Sequence, residues 1–110
     1  MKLEGFQLSA IDWREAKRTE VPGATGTATM RAHQVGLAQL RIVEYGAGYL
    51  ADHWCSKGHI IHVLAGALVI EHRDGRSFRL DEGMSYAVAD EDDAPHRVEC
   101  ERGATVFIVD

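Results

Sequence analysis

The sequence holds only two prolines and two cysteines in 110 residues, and it lacks a long apolar run. The longest nearly apolar stretch, Ile60 to Ile70, is 11 residues and is broken by His62. A membrane-spanning helix needs about 18 or more, so no segment is expected to cross a bilayer. No basic cluster offsets the acidic balance: 12 Lys and Arg against 17 Asp and Glu leave a net charge of −5. Nucleic acid is therefore not an expected partner, because its binding depends on neutralising phosphates. Met1-Lys2-Leu3-Glu4-Gly5 leads into alternating polar and apolar residues instead of the apolar core of a secretory leader, which makes a cytoplasmic location the expectation. Cys55 and Cys100 are too few for a disulfide scaffold and read as free thiols in a reducing compartment. Disorder is excluded by 45% hydrophobic against 26% charged residues, and the length suits one domain.

What the chain does have is glycine and histidine. Eleven glycines punctuate short apolar segments instead of collecting in a linker, the habit of an all-β chain. Strands are expected at Gly26 to His33, Leu37 to Tyr45, Ala51 to Cys55, His59 to Leu64, Ala67 to His72, Ser77 to Leu80, Met84 to Ala89, His96 to Cys100 and Thr105 to Val109. Gly46-Ala47-Gly48, Ser56-Lys57-Gly58, Ala65-Gly66, Asp74-Gly75, Glu82-Gly83, Asp90 to Pro95 and Glu101-Arg102-Gly103 supply the turns. Only Ile11 to Arg18, centred on Trp13, suits a short helical turn. Strands of this number and spacing point to a sandwich, a jelly roll or a small barrel.

Six histidines occur, and His53, His59 and His62 fall within ten residues beside Cys55. Cys55, His59 and His62 would share a helical face, but Gly58 and Gly66 bound the segment and Ile60, Ile61 and Val63 are β-branched. As strands, the segment projects His53 and Cys55 to one face and Trp54 to the other, and returns His59 after a short connection. His96, opening a later strand, is the best candidate for a fourth donor. Imidazole and thiolate suit zinc, nickel, copper or iron and suit calcium or magnesium poorly. The competing reading is a barrel whose histidines are hydrogen-bonded core residues without metal.

Gly48 to Gly66 resembles a variant of the first cupin motif, a glycine before His-x-His, then Glu, then six residues and Gly. Here His53 stands at the first His, Cys55 at the second and His59 at the Glu, with Gly66 closing the motif. Gly83 and Pro95-His96 resemble a weaker second motif. The chain, over roughly residues 24–110, is similar to the small bacterial cupins named for an Asp-His-Cys-Trp motif, here Asp52-His53-Trp54-Cys55; Val43-Glu44-Tyr45 and the ending Phe107-Ile108-Val109-Asp110 belong to the likeness. The resemblance implies an all-β, single-domain cupin jelly-roll β-barrel (a double-stranded β-helix) over residues 24–110. Residues 1–23 would then be a segment packing on the barrel or on a partner subunit. It also implies His53, Cys55, His59 and His96 as ligands of a divalent transition metal. Loss of the glutamate and gain of a thiol favour zinc, with nickel or iron next. Four bound donors would close the site, whereas three histidines without Cys55 would leave room for water or substrate.

If Ala65-Gly66 is a two-residue hairpin turn, His59 faces His72 and Ile61 faces Ile70 inside the barrel, and His72 lines the pocket or packs near the strand end. Ile60, His62, Leu64 and Val69 then point outward with Trp54. Such a patch needs a cover, either the segment carrying Phe6, Ile11 and Trp13 or a second chain, and a homodimer is the expectation. Tyr45, Tyr49 and Tyr86 are pocket candidates as well as core candidates. The acidic run Asp90 to Asp93 reads as a solvated loop more readily than a cation site. Asp52 reads as a hydrogen-bond acceptor near the ligands, and Cys100 as too deep to coordinate. Two functions remain open, a small metalloenzyme acting on a small organic molecule and a non-catalytic metal or small-ligand binding or sensor module. No catalytic residue is assigned.

Overall fold

A computed structural model of the chain describes residues 3–110. Among the described residues nine strands, β1 (Thr19–Pro22), β2 (Thr27–Val35), β3 (Ala38–Tyr45), β4 (Tyr49–Leu50), β5 (His59–His72), β6 (Ser77–Asp81), β7 (Ser85–Val88), β8 (His96–Cys100) and β9 (Ala104–Val109), make an all-β fold. The sheet runs β1-β2-β3-β9-β5-β8-β4, with β6 and β7 also paired to β5. Every pairing is antiparallel. No helix among the described residues is long and apolar enough to cross a membrane.

The expected hairpin at Ala65-Gly66 does not form. Instead β5 is one strand of 14 residues that serves both walls of the barrel. Its first half lies between β9 and β7, with Ile61 opposite Ile108 and Tyr86. Its second half lies between β6 and β8, with Ile70 opposite Phe78 and Val98. The switch between walls sits at an irregularity between Val63 and Ala65, followed by Gly66 at φ +77°. A Cβ on Gly66 would stand 2.3 Å from the Gly103 carbonyl oxygen, so only glycine permits this approach. The extra residue explains the change of parity: Ile61 and Val63 are buried before it, and Leu68, Ile70 and His72 after it. His72 thus points inward as anticipated, but because of a bulge and not a hairpin register.

The core fills the space between the walls with Val43, Ile61, Val63, Leu68, Ile70, Val106 and Ile108. β9 alternates cleanly, with Ala104, Val106 and Ile108 buried. On the outer face of β3 and β9 the amino-terminal segment supplies a cover. Trp13 packs edge-on to Phe107 with ring centroids 6.5 Å apart, Arg31 Nη1 donates to the Trp13 carbonyl at 3.2 Å, and the Gly36 N–H donates to Gln7 Oε1 at 3.1 Å. This is why Ile42 and Val43, on opposite faces of β3, are both buried. The helical turn expected at residues 11–18 is two overlapping turns, closed by Glu15 N–H to Asp12 O at 3.0 Å and Ala16 N–H to Trp13 O at 3.3 Å. Asp12 also accepts from the Arg14 N–H, competing with helix propagation, and from Thr19 the chain is already extended in β1. Ile60, Leu64 and Met84 stay uncovered, each a little under half exposed.

Candidate metal centre

The segment expected as a strand from Ala51 to Cys55 is a bend between two points of attachment to β8. The Ala51 N–H donates to Val98 O at 3.0 Å, and Cys55 and His96 exchange both backbone hydrogen bonds at 2.7 and 2.9 Å. Extending the Tyr49–Cys100 and Leu50–Glu99 register would set His53 opposite His96. The bend at Asp52-His53 takes up two residues, so Cys55 stands there instead. Strand alternation therefore does not govern His53. Its ring Nδ1–H donates to its neighbour Asp52 Oδ1 at 2.7 Å, and its side chain is 75% exposed.

Paired residues in an antiparallel ladder project to the same face. His96 lies opposite Cys55 on one side and His72 on the other, so the three side chains form one inward row. His59, at the start of β5, meets this row from the other wall, its ring 5.1 Å from that of His96 in an edge-on arrangement. One donor atom each of Cys55, His59 and His96 lies within 4.8 Å of the others. The Cys55 Sγ to His59 Nε2 distance of 3.6 Å matches the ~3.5 Å edge of a tetrahedron built on metal–sulfur and metal–nitrogen bonds of about 2.3 and 2.0 Å. The donor set thus fits a single transition-metal ion. Of the four residues anticipated as ligands, Cys55, His59 and His96 come together and His53 does not.

The second nitrogen of each histidine decides what it can do. His59 Nδ1–H donates to Asp110 Oδ2 at 3.0 Å, which leaves the Nε2 lone pair facing Cys55. Asp110 is held in turn by Arg41 Nη2 at 2.6 Å, and its side chain is 2% exposed. A carboxylate behind a ligating imidazole fixes the tautomer and raises the donor strength. Neither Arg41 nor Asp110 was anticipated from the sequence. A signal was present, since Asp110 continues the inward parity of Ala104, Val106 and Ile108, and Arg41 shares that of the inward Val43. His72 is fully engaged: Nδ1–H donates to Ala94 O at 2.8 Å and Nε2 accepts from the Tyr86 hydroxyl at 2.7 Å. It holds a wall beside His96, ring centroids 5.7 Å apart, and has no nitrogen free for a metal.

Burial pushes the His96 imidazole down to about 4, helped by the nearby His59 and His72 rings. Burial also lowers His59, although Asp110 opposes the shift. Both rings are therefore neutral near pH 7, the form that ligates metal. The Lys57 N–H donates to Cys55 Sγ at 3.4 Å. Tyr86 adjoins the cluster through His72, but Tyr45 and Tyr49 do not reach it. They pack against each other with ring centroids 4.9 Å apart and planes tilted by 51°, and Tyr49 pairs with Cys100 at the far end of β8, about 13 Å along the strand from His96. Cys100 is buried there as a free thiol. The acidic loop is used structurally: Asp90 accepts from the Gly58 N–H at 2.6 Å, and Asp93 binds Arg76 and the Ala94 N–H. On the outer surface Arg97 lies 4.3 Å over the Trp54 ring.

No family model matches the chain, and no curated protein matches its sequence. Solved structures do match its fold. A predicted oxalate decarboxylase from Thermotoga maritima aligns with a TM-score of 0.76 at 12% identity over 92% of this chain and 96% of its own. Ectoine synthase from P. lautus aligns at 0.73 and 16% identity, over 93% and 76%. A sugar phosphate isomerase of the cupin superfamily from Silicibacter pomeroyi aligns at 0.72 and 17% identity, over 92% and 74%. The chain has the fold of a single-domain cupin jelly-roll barrel. At these identities the likeness is one of fold, and fold does not choose a reaction.

Proposed function

We propose that this small cupin holds one divalent transition-metal ion through Cys55, His59 and His96 and uses the ion's remaining position for a small organic ligand or substrate. The observation that supports this most directly is the convergence of one sulfur and two imidazole nitrogens from three separate chain segments. The Asp110 carboxylate behind His59 adds to it. The soft thiolate and the absence of a carboxylate among the three donors favour zinc over iron. With three protein donors, a tetrahedral ion keeps an open position, where it would act as a Lewis acid and lower the pKa of bound water. A closed, purely binding site would need His53 to leave Asp52 and displace the bend, so the open site is the better reading. The Asp52-His53-Trp54-Cys55 segment places the chain, within this proposal, beside the small bacterial cupins of the Asp-His-Cys-Trp motif. A reducing cytoplasm, which keeps Cys55 a thiol, suits the same reading.

The test is elemental analysis of the purified protein grown with zinc, nickel and iron, followed by the spectrum of a cobalt-substituted sample. About one equivalent of metal, a thiolate charge-transfer band and sensitivity of the cobalt bands to added small anions are expected. A metal-free protein, or a cobalt spectrum indifferent to anions, would count against the open site. The homodimer belongs to this proposal through Ile60 and Leu64, outward residues of β5 that stay a little under half exposed. A light-scattering mass of two chains is expected, falling toward one chain in a Leu64→Glu variant; a wild-type mass of one chain would remove the dimer.

A further inference from the structure

Arg41 is an unusual occupant of a barrel interior. It stands on β3 opposite Ile108, a buried inward residue, and on its other side opposite Ala32 of β2. Ala32 is small and exposed, and the Arg41 side chain is 18% exposed against 9% for His59 and 2% for Asp110, so Arg41 is the member of this trio nearest to solvent. A guanidinium carries five N–H donors and no acceptor. Here Nη2 is matched by Asp110 Oδ2 at 2.6 Å, and Nη1 reaches only the soft Met30 sulfur at 3.6 Å. Nε is buried with no partner, as is Asp110 Oδ1. Two hydrogen bonds separate this under-used cation from the ring of His59.

Charge narrows what can complete it. With Cys55 as thiolate and both imidazoles neutral, a divalent ion leaves the donor set one positive charge in excess, and the Arg41–Asp110 pair adds none. A monoanion balances that charge, whereas a phosphate group brings about −1.5 to −2 at pH 7. A carboxylate also matches the planar donor fork of arginine. A hydroxyl beside it would offer a proton to the orphaned Asp110 Oδ1.

We propose that the centre takes a small organic monocarboxylate, with its carboxylate on the free donors of Arg41 and a neighbouring oxygen directed to the metal. This rests on the metal reading above for the second contact and for the choice of a monoanion. The Arg41 contact itself stands on the orphaned donor and on the partial exposure of its side chain.

The experiment titrates glycolate, acetate and inorganic phosphate into metal-loaded and metal-free protein while following the Arg41 Nε–H resonance by NMR. A saturable shift is expected with the two carboxylates, tighter for glycolate in the metal-loaded form and weaker for phosphate. Arg41→Lys, which keeps a charge for Asp110 but removes Nε–H, should retain metal and weaken glycolate by more than about tenfold. Should that variant fail to fold, Ala32→Leu fills the space opposite Arg41 and is expected to weaken glycolate with metal content unchanged. No shift in the metal-loaded wild type, phosphate binding tighter than glycolate, or unaltered glycolate affinity in the folded variant would overturn the proposal. A protein that takes up no metal yet still shifts Arg41 with carboxylate would sink the metal reading and leave the Arg41 site standing.

Discussion

Replacing His96 by alanine is expected to weaken metal binding by on the order of 10³-fold. A structural zinc site of several donors is worth about 10–16 kcal/mol, so one donor in three accounts for roughly 4 kcal/mol. His96 is also the member that links the others, paired by backbone to Cys55 on one side and to His72 on the other. Asp110→Asn should cost less, about 10- to 100-fold, because it removes the partner of His59 Nδ1 and not a ligand. His53→Ala should leave affinity within about twofold, since its side chain is exposed and bonded only to Asp52. Competition with a chromophoric zinc chelator measures all three on one scale. A loss in His53→Ala equal to that in His96→Ala would mean that the bend at residues 52–53 is not present in solution. A melting curve for each variant separates lost ligation from lost folding.

The second large effect concerns stability. Gly66→Ala is expected to destabilise the fold by about 3 kcal/mol or more, combining a left-handed backbone that L-residues resist by roughly 1–2 kcal/mol with a steric overlap. The overlap is severe because the intruding Cβ meets backbone, the Gly103 carbonyl at 2.3 Å, and not the tip of a flexible side chain. For a chain of this size the Tm should fall by about 10 °C or more. Gly75 also has positive φ, yet nothing lies within 4 Å of a Cβ there, so Gly75→Ala should cost only the backbone part, about 1–2 kcal/mol. Thermal melts of the two variants, side by side, test whether β5 really bends from one wall to the other at Gly66. Equal losses would argue that Ala65-Gly66 is an ordinary turn.

The contrast between these glycines shows where local reading stops. Ala65-Gly66 has the composition of a tight turn, and a positive φ at Gly66 is what a turn would require. The same backbone state also serves a bulge within a continuous strand, and neighbouring residues do not distinguish the two. The choice was made by β9 and β8, which hydrogen-bond the two halves of β5 from positions 24 or more residues away. His53 illustrates the same point. Its place beside Cys55 reads as a shared face only if the segment is a strand, and the bend that breaks the alternation is set by attachment to β8 at both ends. Arg41 and Asp110 went unseen for a different reason: a charged residue on a strand normally faces water, and their mutual neutralisation, with the help of His59, exists only once β3, β9 and β5 lie side by side.

Composition, turn residues and the period-two pattern were enough to determine an all-β chain, the approximate positions of most strands, and a stock of imidazole and thiol groups suited to a soft metal. They also pointed to inward faces for His59 and His96, whereas His72 reaches its inward face through the bulge in β5 and not through the expected hairpin. Which of these groups share one point in space was decided by the folded barrel alone, through a bulge between Val63 and Ala65, a two-residue bend after Ala51 and a carboxylate arriving just past the last strand. Side-chain direction is a local property with a short period, whereas convergence depends on cross-strand register, and an insertion of one or two residues changes register without leaving a mark on the pattern that local reading uses.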